Sequence, residues 1–262
     1  MHAPQYHETL FSRLYPGNQE SHTTYVPVLQ ALTLFLDFTD AQKARTILRS
    51  DAGFGSDSNV NTALRDHWQV VTKSSGGRRP AAVSRQIADA AWLELRPDDR
   101  WVAAAPAPVQ LVRPVQWLAL RWRTSRGDLK QALVVCSVDT WSAAEIIHYY
   151  DDRGACETEI QADKGGLQMG RRRKKVAAAQ EVLILLTDLA HNLLAWTTPW
   201  MFPTGPLAQL GATQMVQDVL AMPGRLIFQQ QQLVEVQLNQ RHPYATEVAA
   251  GLVRLLDHFG YP

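Results

Sequence analysis

Cysteine is scarce in this chain: Cys136 and Cys156 are the only two among 262 residues. Two thiols cannot staple a disulfide framework, and they fit a reducing cytoplasm. Excess charge of one sign is also missing, since the formal net charge is +1. The chain as a whole therefore has no pull toward nucleic acid, and any basic surface must be local. The opening Met-His-Ala-Pro-Gln-Tyr-His has no charged segment leading into an apolar one, so no secretory leader is visible. A clean membrane-length run is lacking too. The longest apolar stretch, 176–196, is interrupted by Glu181, Asp188, His191 and Asn192. Charges near the centre of a spanning helix cost about 2.5–3.5 kcal/mol each. The stretch reads instead as a buried core helix covering a sheet, with His191 a satisfied core or edge histidine. No internal repeat is present, and the glutamines at 229–232 are the only biased run.

What is present suits a globular protein with a real core: 46% hydrophobic and 19% charged residues. Residues 8–14 read as a short strand entering a turn at Tyr15-Pro16-Gly17-Asn18. Tyr25, Val28, Leu29, Leu32, Phe35 and Leu36 recur at helical spacing and predict an amphipathic helix. Arg45-Thr-Ile-Leu-Arg49 predicts a strand ending at Ser50-Asp51. Ala52-Gly53-Phe54-Gly55 then predicts a turn, its glycines permitting positive φ. Ser56, Asp57 and Ser58 offer N-caps for a helix through Trp68, and Gln69–Lys73 predicts the next strand. A carboxylate at a strand's C-terminal end beside a glycine turn sits where open α/β sheets place ligand-binding groups. On that evidence alone a turn or capping aspartate is the plainer reading of Asp51.

Ser74-Ser-Gly-Gly-Arg-Arg-Pro80 marks a flexible, basic boundary. From Lys73 to Gln131 there are 11 Lys and Arg against 5 Asp and Glu, with four of the eight tryptophans. Alternating runs at 92–95, 115–123 and 131–138 predict strands. In the second run Arg121 and Arg123 share one face and Leu118, Leu120 and Trp122 the other. Basic residues among aromatics suit a nucleic-acid surface; tryptophans filling the core of a small β-insertion are the plainer alternative. Toward the C-terminus, 225–238 predicts a hairpin and 245–258 a closing amphipathic helix.

One further stretch carries a pattern of its own. Between Trp141-Ser142 and Gly165-Gly166 the sequence predicts a long helix. On it Tyr150, Arg153, Glu157 and Lys164 fall at about 0°, 300°, 340° and 320°, a stripe roughly 60° wide. A hydroxyl, a guanidinium and an ammonium suit phosphate oxygens, and a carboxylate suits a divalent metal. A polyanion along the stripe with a metal at Glu157 is the simplest joint reading; a solvated helix with internal ion pairs is the plainer one. Five cations, Arg171, Arg172, Arg173, Lys174 and Lys175, follow shortly after and either extend that track or form a solvated loop.

The spacing Tyr-x2-Arg-x3-Glu-x6-Lys resembles that of a large group of bacterial insertion-sequence transposases, which use an Asp-Asp-Glu triad on a ribonuclease-H-like fold. Leu-Arg-Ser-Asp-Ala-Gly-Phe-Gly-Ser, around Asp51, resembles the segment carrying that triad's second acid. Leu14-Tyr-Pro-Gly-Asn18 resembles the turn before it. The resemblance implies an α/β, ribonuclease-H-like core over 1–73 and 132–262, with a basic, Trp-rich β-insertion over 74–131. It implies Asp51 and Glu157 as catalytic metal ligands for Mg²⁺ or Mn²⁺. Tyr150, Arg153, Lys164, Arg121, Arg123, Arg171, Arg172 and Arg173 become the DNA-contacting set. The implied partner is transposon-end DNA, with no membrane association, and the implied location is cytoplasmic or nucleoid-bound. A homodimer, or pairing with a full-length transposase, is a further implied association. Such enzymes also carry an aspartate on an earlier strand, but only thirteen residues precede Leu14 and the earliest aspartate is Asp37. The chain therefore reads as the later two-thirds of such an enzyme, with metal binding weak or absent and no activity alone. An unpaired sheet edge is a further expectation. The alternative is a non-catalytic DNA-binding remnant or regulator.

Overall fold

The computed structural model describes residues 1–97 and 99–260, and of Ala155 and Cys156 the backbone alone. In chain order the elements are β1 (His2–Ala3), β2 (Glu8–Thr9), α1 (Ser21–Leu36), α2 (Asp40–Lys43), β3 (Ile47–Ser50), α3 (Asp57–Arg65), β4 (Gln69–Lys73) and α4 (Arg79–Ser84). Then follow β5 (Leu93–Arg96), β6 (Arg100–Ala104), β7 (Gln116–Arg123), β8 (Leu129–Cys136), α5 (Ala143–Asp151), α6 (Arg153–Gly166) and α7 (Ala177–Met201). Last come α8 (Ala212–Gln214), which runs into a wider π turn at Met215–Leu220, then β9 (Gly224–Gln229), β10 (Gln232–Leu238) and α9 (Ala245–His258). These elements form two compact units, residues 15–153 and residues 1–14 with 154–262.

The unit of residues 15–153 is built on one mixed sheet, ordered β3-β4-β8-β7-β6-β5. β3 and β4 run parallel, and the remaining neighbours are antiparallel. The three strands contributed by residues 74–131 thus extend the same sheet as β3, β4 and β8. Both faces are covered, which is why residues 70–72 of β4 and 132–136 of β8 are buried without a break. Val71, Leu118, Leu120, Val134 and Cys136 pack under Ile146, Ile147 and Tyr150 of α5. Burial pushes the Cys136 thiol up to about 11, leaving it a core group rather than a nucleophile. The alternate residues Val70, Leu133 and Val135 are equally buried, and α3 and α4 pack against β4 and β8. β3 and β5 are the sheet's edge strands.

Local chemistry sets the helix starts. Ser56 caps α3 by accepting a hydrogen bond from the Asn59 amide at 3.2 Å. Ser142 and Glu145 form a reciprocal capping box on α5, which holds the Glu145 carboxyl below its ordinary range. The long helix expected over 142–166 is two helices. It breaks at Asp152, where Asp151-Asp152 ends α5 and Arg153 begins α6.

In the second unit α7 and α9 pack closely. A Cβ at Gly251 would stand 3.0 Å from Phe202 and 3.1 Å from the Met201 carbonyl, so any larger residue there would push the two helices slightly apart. Arg254 donates to that carbonyl from Nε at 2.9 Å and from Nη2 at 2.5 Å, closing the end of α7. Met201, Phe202, Leu207, Met215, Val219 and Val248 form the core. The predicted hairpin is present as β9 and β10.

α7 departs from the buried core helix that its composition suggests. Its inward face is the polar one. Asn192 accepts from the Thr9 amide and donates to the Thr9 carbonyl, both at 2.8 Å, standing in for a neighbouring strand beside β2. Ser12 donates to Asp188 at 2.9 Å, and burial raises the Asp188 carboxyl above its ordinary range. His191 is 7% exposed and sits between two acceptors, the Asp163 carboxylate and the His7 carbonyl, each 2.8 Å from a ring nitrogen. Both nitrogens face acceptors, so the imidazolium form satisfies the site and the pKa is raised, chiefly by the Asp163 hydrogen bond. The outward face carries leucines and tryptophans that remain exposed.

Candidate functional site

The functional geometry of the sheet unit gathers where β3 and β4 end side by side. Their parallel pairing carries Ser50 opposite Thr72, so Asp51, just past β3, follows beside Lys73, the last residue of β4. Ser50 Oγ donates to Thr72 Oγ1 at 2.9 Å, and Thr72 Oγ1 lies 3.1 Å from the Ser50 carbonyl and 3.2 Å from that of Asp51. The two loops that follow are pressed together. A Cβ at Gly55 would overlap the Lys73 carbonyl oxygen and stand 2.8 Å from its carbon, and Ser75 donates its amide to Gly55 at 2.8 Å. At Gly53 a Cβ would meet only the side chains of Ser21 and Asp51, which can move aside. Neither glycine has a positive φ. Space, rather than the backbone freedom expected of this turn, is what calls for Gly55.

Asp51 is exposed, and its Oδ1 accepts from the Gly53 amide at 2.9 Å, so it does serve as a turn aspartate. Its charge also reaches Lys73 and Tyr150. Lys73 is the residue that the sequence pattern passed over. Its ammonium lies 5.1 Å from the Tyr150 ring centre and 5.4 Å from that of Trp122. Burial, then the Arg153 charge, push it below the ordinary lysine value, while Asp151 and Asp51 pull it back. Tyr150 is 3% exposed; burial raises its phenol and the adjacent Arg153, 5.7 Å from the ring centre, opposes that rise. Arg100 grips Asp151 through two contacts of 2.6 and 2.8 Å.

Beside this cluster opens a cavity of about 270 Å³ lined by Lys73, Arg96, Asp99, Arg100, Leu120, Trp122 and Arg123. Four cations face one carboxylate there. Its chemistry is that of an anion site with an aromatic wall, and it brings Arg123 near Lys73. A lysine at the end of the strand adjoining Asp51's strand was the available clue to this cluster.

The expected site residues are distributed unevenly. Asp51, Tyr150, Arg153, Arg121 and Arg123 belong to the sheet unit, and Glu157, Lys164, Arg171, Arg172 and Arg173 to the other. Asp51, Tyr150 and Arg153 gather around Lys73. Arg121 does not join them: its guanidinium lies 4.2 Å from the Trp92 ring centre and 5.2 Å from that of Trp101, with Asp89 at 3.8 Å. In the second unit Glu157 and Lys164 are exposed on α6. Its inward acids are Glu159, which pairs with His2 and with His7 at 2.6 Å, and Asp163. Arg171, Arg172 and Arg173 are exposed in the loop before α7.

A sequence profile of the transposase DDE domain, group 1, matches residues 3–258. The chain belongs to this family. Among curated proteins no sequence matches it. The mixed six-stranded sheet flanked by helices agrees with a DDE transposase domain. Two-metal phosphodiester chemistry, which such a domain implies, needs clustered carboxylates. Among the described residues no group of three or more His, Cys, Asp or Glu is arranged to hold a metal ion. Beside Asp51, the charges bearing on Lys73 are the cations Arg153 and Arg100 and the acids Asp151 and Asp51, with Asp151 held by Arg100. As they stand the residues do not fit a two-metal centre, and no step is routed through one. No helix among the described residues is long and apolar enough to cross a membrane.

Proposed function

We propose that this chain is the DNA-handling part of a DDE transposase with a ribonuclease-H-like core, which binds transposon-end DNA but does not complete cleavage or strand transfer alone. The observation that carries the reading is the cationic cavity between the end of β4, the β5–β6 turn and β7, where Lys73, Arg96, Arg100 and Arg123 outnumber Asp99. Phosphate oxygens are the natural complement of such a site, and the binding they give is steeply salt-dependent. In this reading residues 1–73 and 132–262 form the core and 74–131 the insertion that contributes contacts. Arg153, Lys164 and Arg171 to Arg173 extend the phosphate track. Asp51 and Glu157 are the candidate metal ligands, one short of the three carboxylates that two-metal cleavage uses, so Mg²⁺ or Mn²⁺ is held weakly. The protein acts in the cytoplasm, at the nucleoid when bound.

A second reading, a non-catalytic regulator derived from a transposase, is favoured by the same excess of cations over acids. One experiment addresses both. The purified chain is titrated with end-bearing DNA at several salt concentrations and then incubated with Mg²⁺ or Mn²⁺. Salt-dependent binding without nicking is expected. Failure to bind at physiological salt overturns the proposal. Metal-dependent nicking that Glu157→Ala abolishes overturns the claim of incompleteness and retains the transposase.

A further inference from the structure

The outward face of α7 holds a regular seam. Val182, Leu186, Leu189, Leu193, Trp196 and Trp200 follow one another at intervals of four, three, four, three and four residues. This is the alternation of a and d positions in a coiled coil. On a helix they fall within about 40° either side of one line, with His191 diametrically opposite. They are 55%, 56%, 51%, 48%, 41% and 37% exposed, although each is a large apolar side chain. The polar side chains of the same helix are turned inward, onto β2 and α6, as described above. With Leu185, the seam presents on the order of 600 Å² of surface, against roughly 800 Å² per partner in a standard interface.

The seam is self-complementary in one direction only. Run antiparallel to a copy of itself, it sets Val182 opposite Trp200, Leu186 opposite Trp196 and Leu189 opposite Leu193, with a twofold axis near residue 191. Each layer then pairs a small or medium side chain with a larger or equal one. A parallel arrangement would stack tryptophan on tryptophan at one end and valine on valine at the other. The flanking positions are Leu183, Ala190 and Thr197 on one side and Leu185, Asn192 and Pro199 on the other. None is charged, so no like-charge contact opposes self-pairing. Between 182 and 200 the ionisable residues are Asp188 and His191, both turned inward, to Ser12 and to Asp163 and the His7 carbonyl; beside the seam, Glu8 accepts from Trp196 Nε1 at 2.7 Å. Trp200 is already set in place at one end of the seam, stacked 4.4 Å from the His258 ring.

We infer that α7 is a homodimerisation helix, pairing antiparallel with α7 of a second copy of this chain. The pairing goes beyond DNA handling and does not depend on it. Sedimentation equilibrium is expected to show a dimer. Leu189→Glu with Leu193→Glu is expected to weaken it at least a hundredfold while the circular dichroism spectrum stays that of the parent, since both residues are half-exposed, and to remove the dependence of melting on protein concentration. For direction, a mixture of Val182→Cys and Trp200→Cys chains, each carrying Cys156→Ser, is expected to form an oxidised dimer. Val182→Cys alone should not, because its two thiols stand about 27 Å apart along the paired helices. Leu186→Cys with Trp196→Cys repeats the test should Trp200→Cys fail to fold. A monomeric parent chain, a double Glu variant that stays dimeric, or self-crosslinking of Val182→Cys each overturns the inference.

Discussion

Lys73 gives the sharpest test of the cationic site. Replacing it with methionine keeps the side chain's length and its contact with Trp122 and Tyr150 while removing the charge. If the ammonium meets one phosphate, the slope of log affinity against log salt falls by about 0.9 on duplex DNA, or about 0.7 on a single strand. At 0.15 M salt that slope corresponds to roughly 1 kcal/mol, a fivefold loss of affinity. The fold should be unharmed, because a half-buried ammonium is exchanged for an apolar group. Titration adds a second signature. The Lys73 pKa is lowered by burial and by Arg153, so its charge is lost at a lower pH than that of ordinary lysines, and DNA binding weakens correspondingly early as pH rises. Stability moves the other way. With the folded-state pKa below the unfolded one, stability rises with pH across the window between the lowered value and 10.5. Lys73→Arg, which stays charged, should remove the early pH dependence and keep the salt slope. Fluorescence anisotropy over a salt and pH grid reads all of this. An unchanged slope and affinity in Lys73→Met would refute the assignment of the cavity to phosphate.

Gly55→Ala should destabilise the chain by about 3 kcal/mol, at the top of the range for overpacking, because the new methyl meets the Lys73 backbone rather than a movable side chain; urea denaturation measures it. The two inward histidines of the second unit set a pH window. His191 has its folded-state pKa raised above 6.5, chiefly by Asp163, so its contribution is complete below 6.5 and is lost as pH rises through the raised value. His2 has its pKa lowered by burial, so its contribution is complete above 6.5 and is lost as pH falls through the lowered value. Stability should therefore peak near pH 6.5, and His191→Leu, which strands a buried carboxylate, should cost about 3 kcal/mol and remove the alkaline limb.

Much of the scaffold was legible because its periodicities are clean. Gln69–Lys73 and Ala245–His258 fold over the residues expected, and β7 differs from expectation by a single residue. β6 went unread because Arg-Trp-Val-Ala-Ala has no alternation and borrows its strand character from β5 and β7. The break at Asp152 was also hidden. Asp-Asp-Arg-Gly contains no proline, and each residue in it is compatible with helix, so the stripe from Tyr150 to Lys164 looked continuous. Composition marked α7 as an apolar helix but not which face the unit uses, a choice made by Asn192, Asp188 and His191 through partners far away in sequence. Asp51 and Tyr150 stood out from local patterns. Lys73 did not, because its role comes from the parallel pairing of β3 with β4, a contact between strands that no local window contains.

The stacked Arg121 alters how the basic middle of the chain should be understood. Trp92 and Trp101 clasp that guanidinium between them, so one cation and two indoles are occupied with one another before any ligand arrives. Eleven positive side chains written in a row are thus not eleven charges on offer, and a tally of letters overstates how much attraction this region can exert.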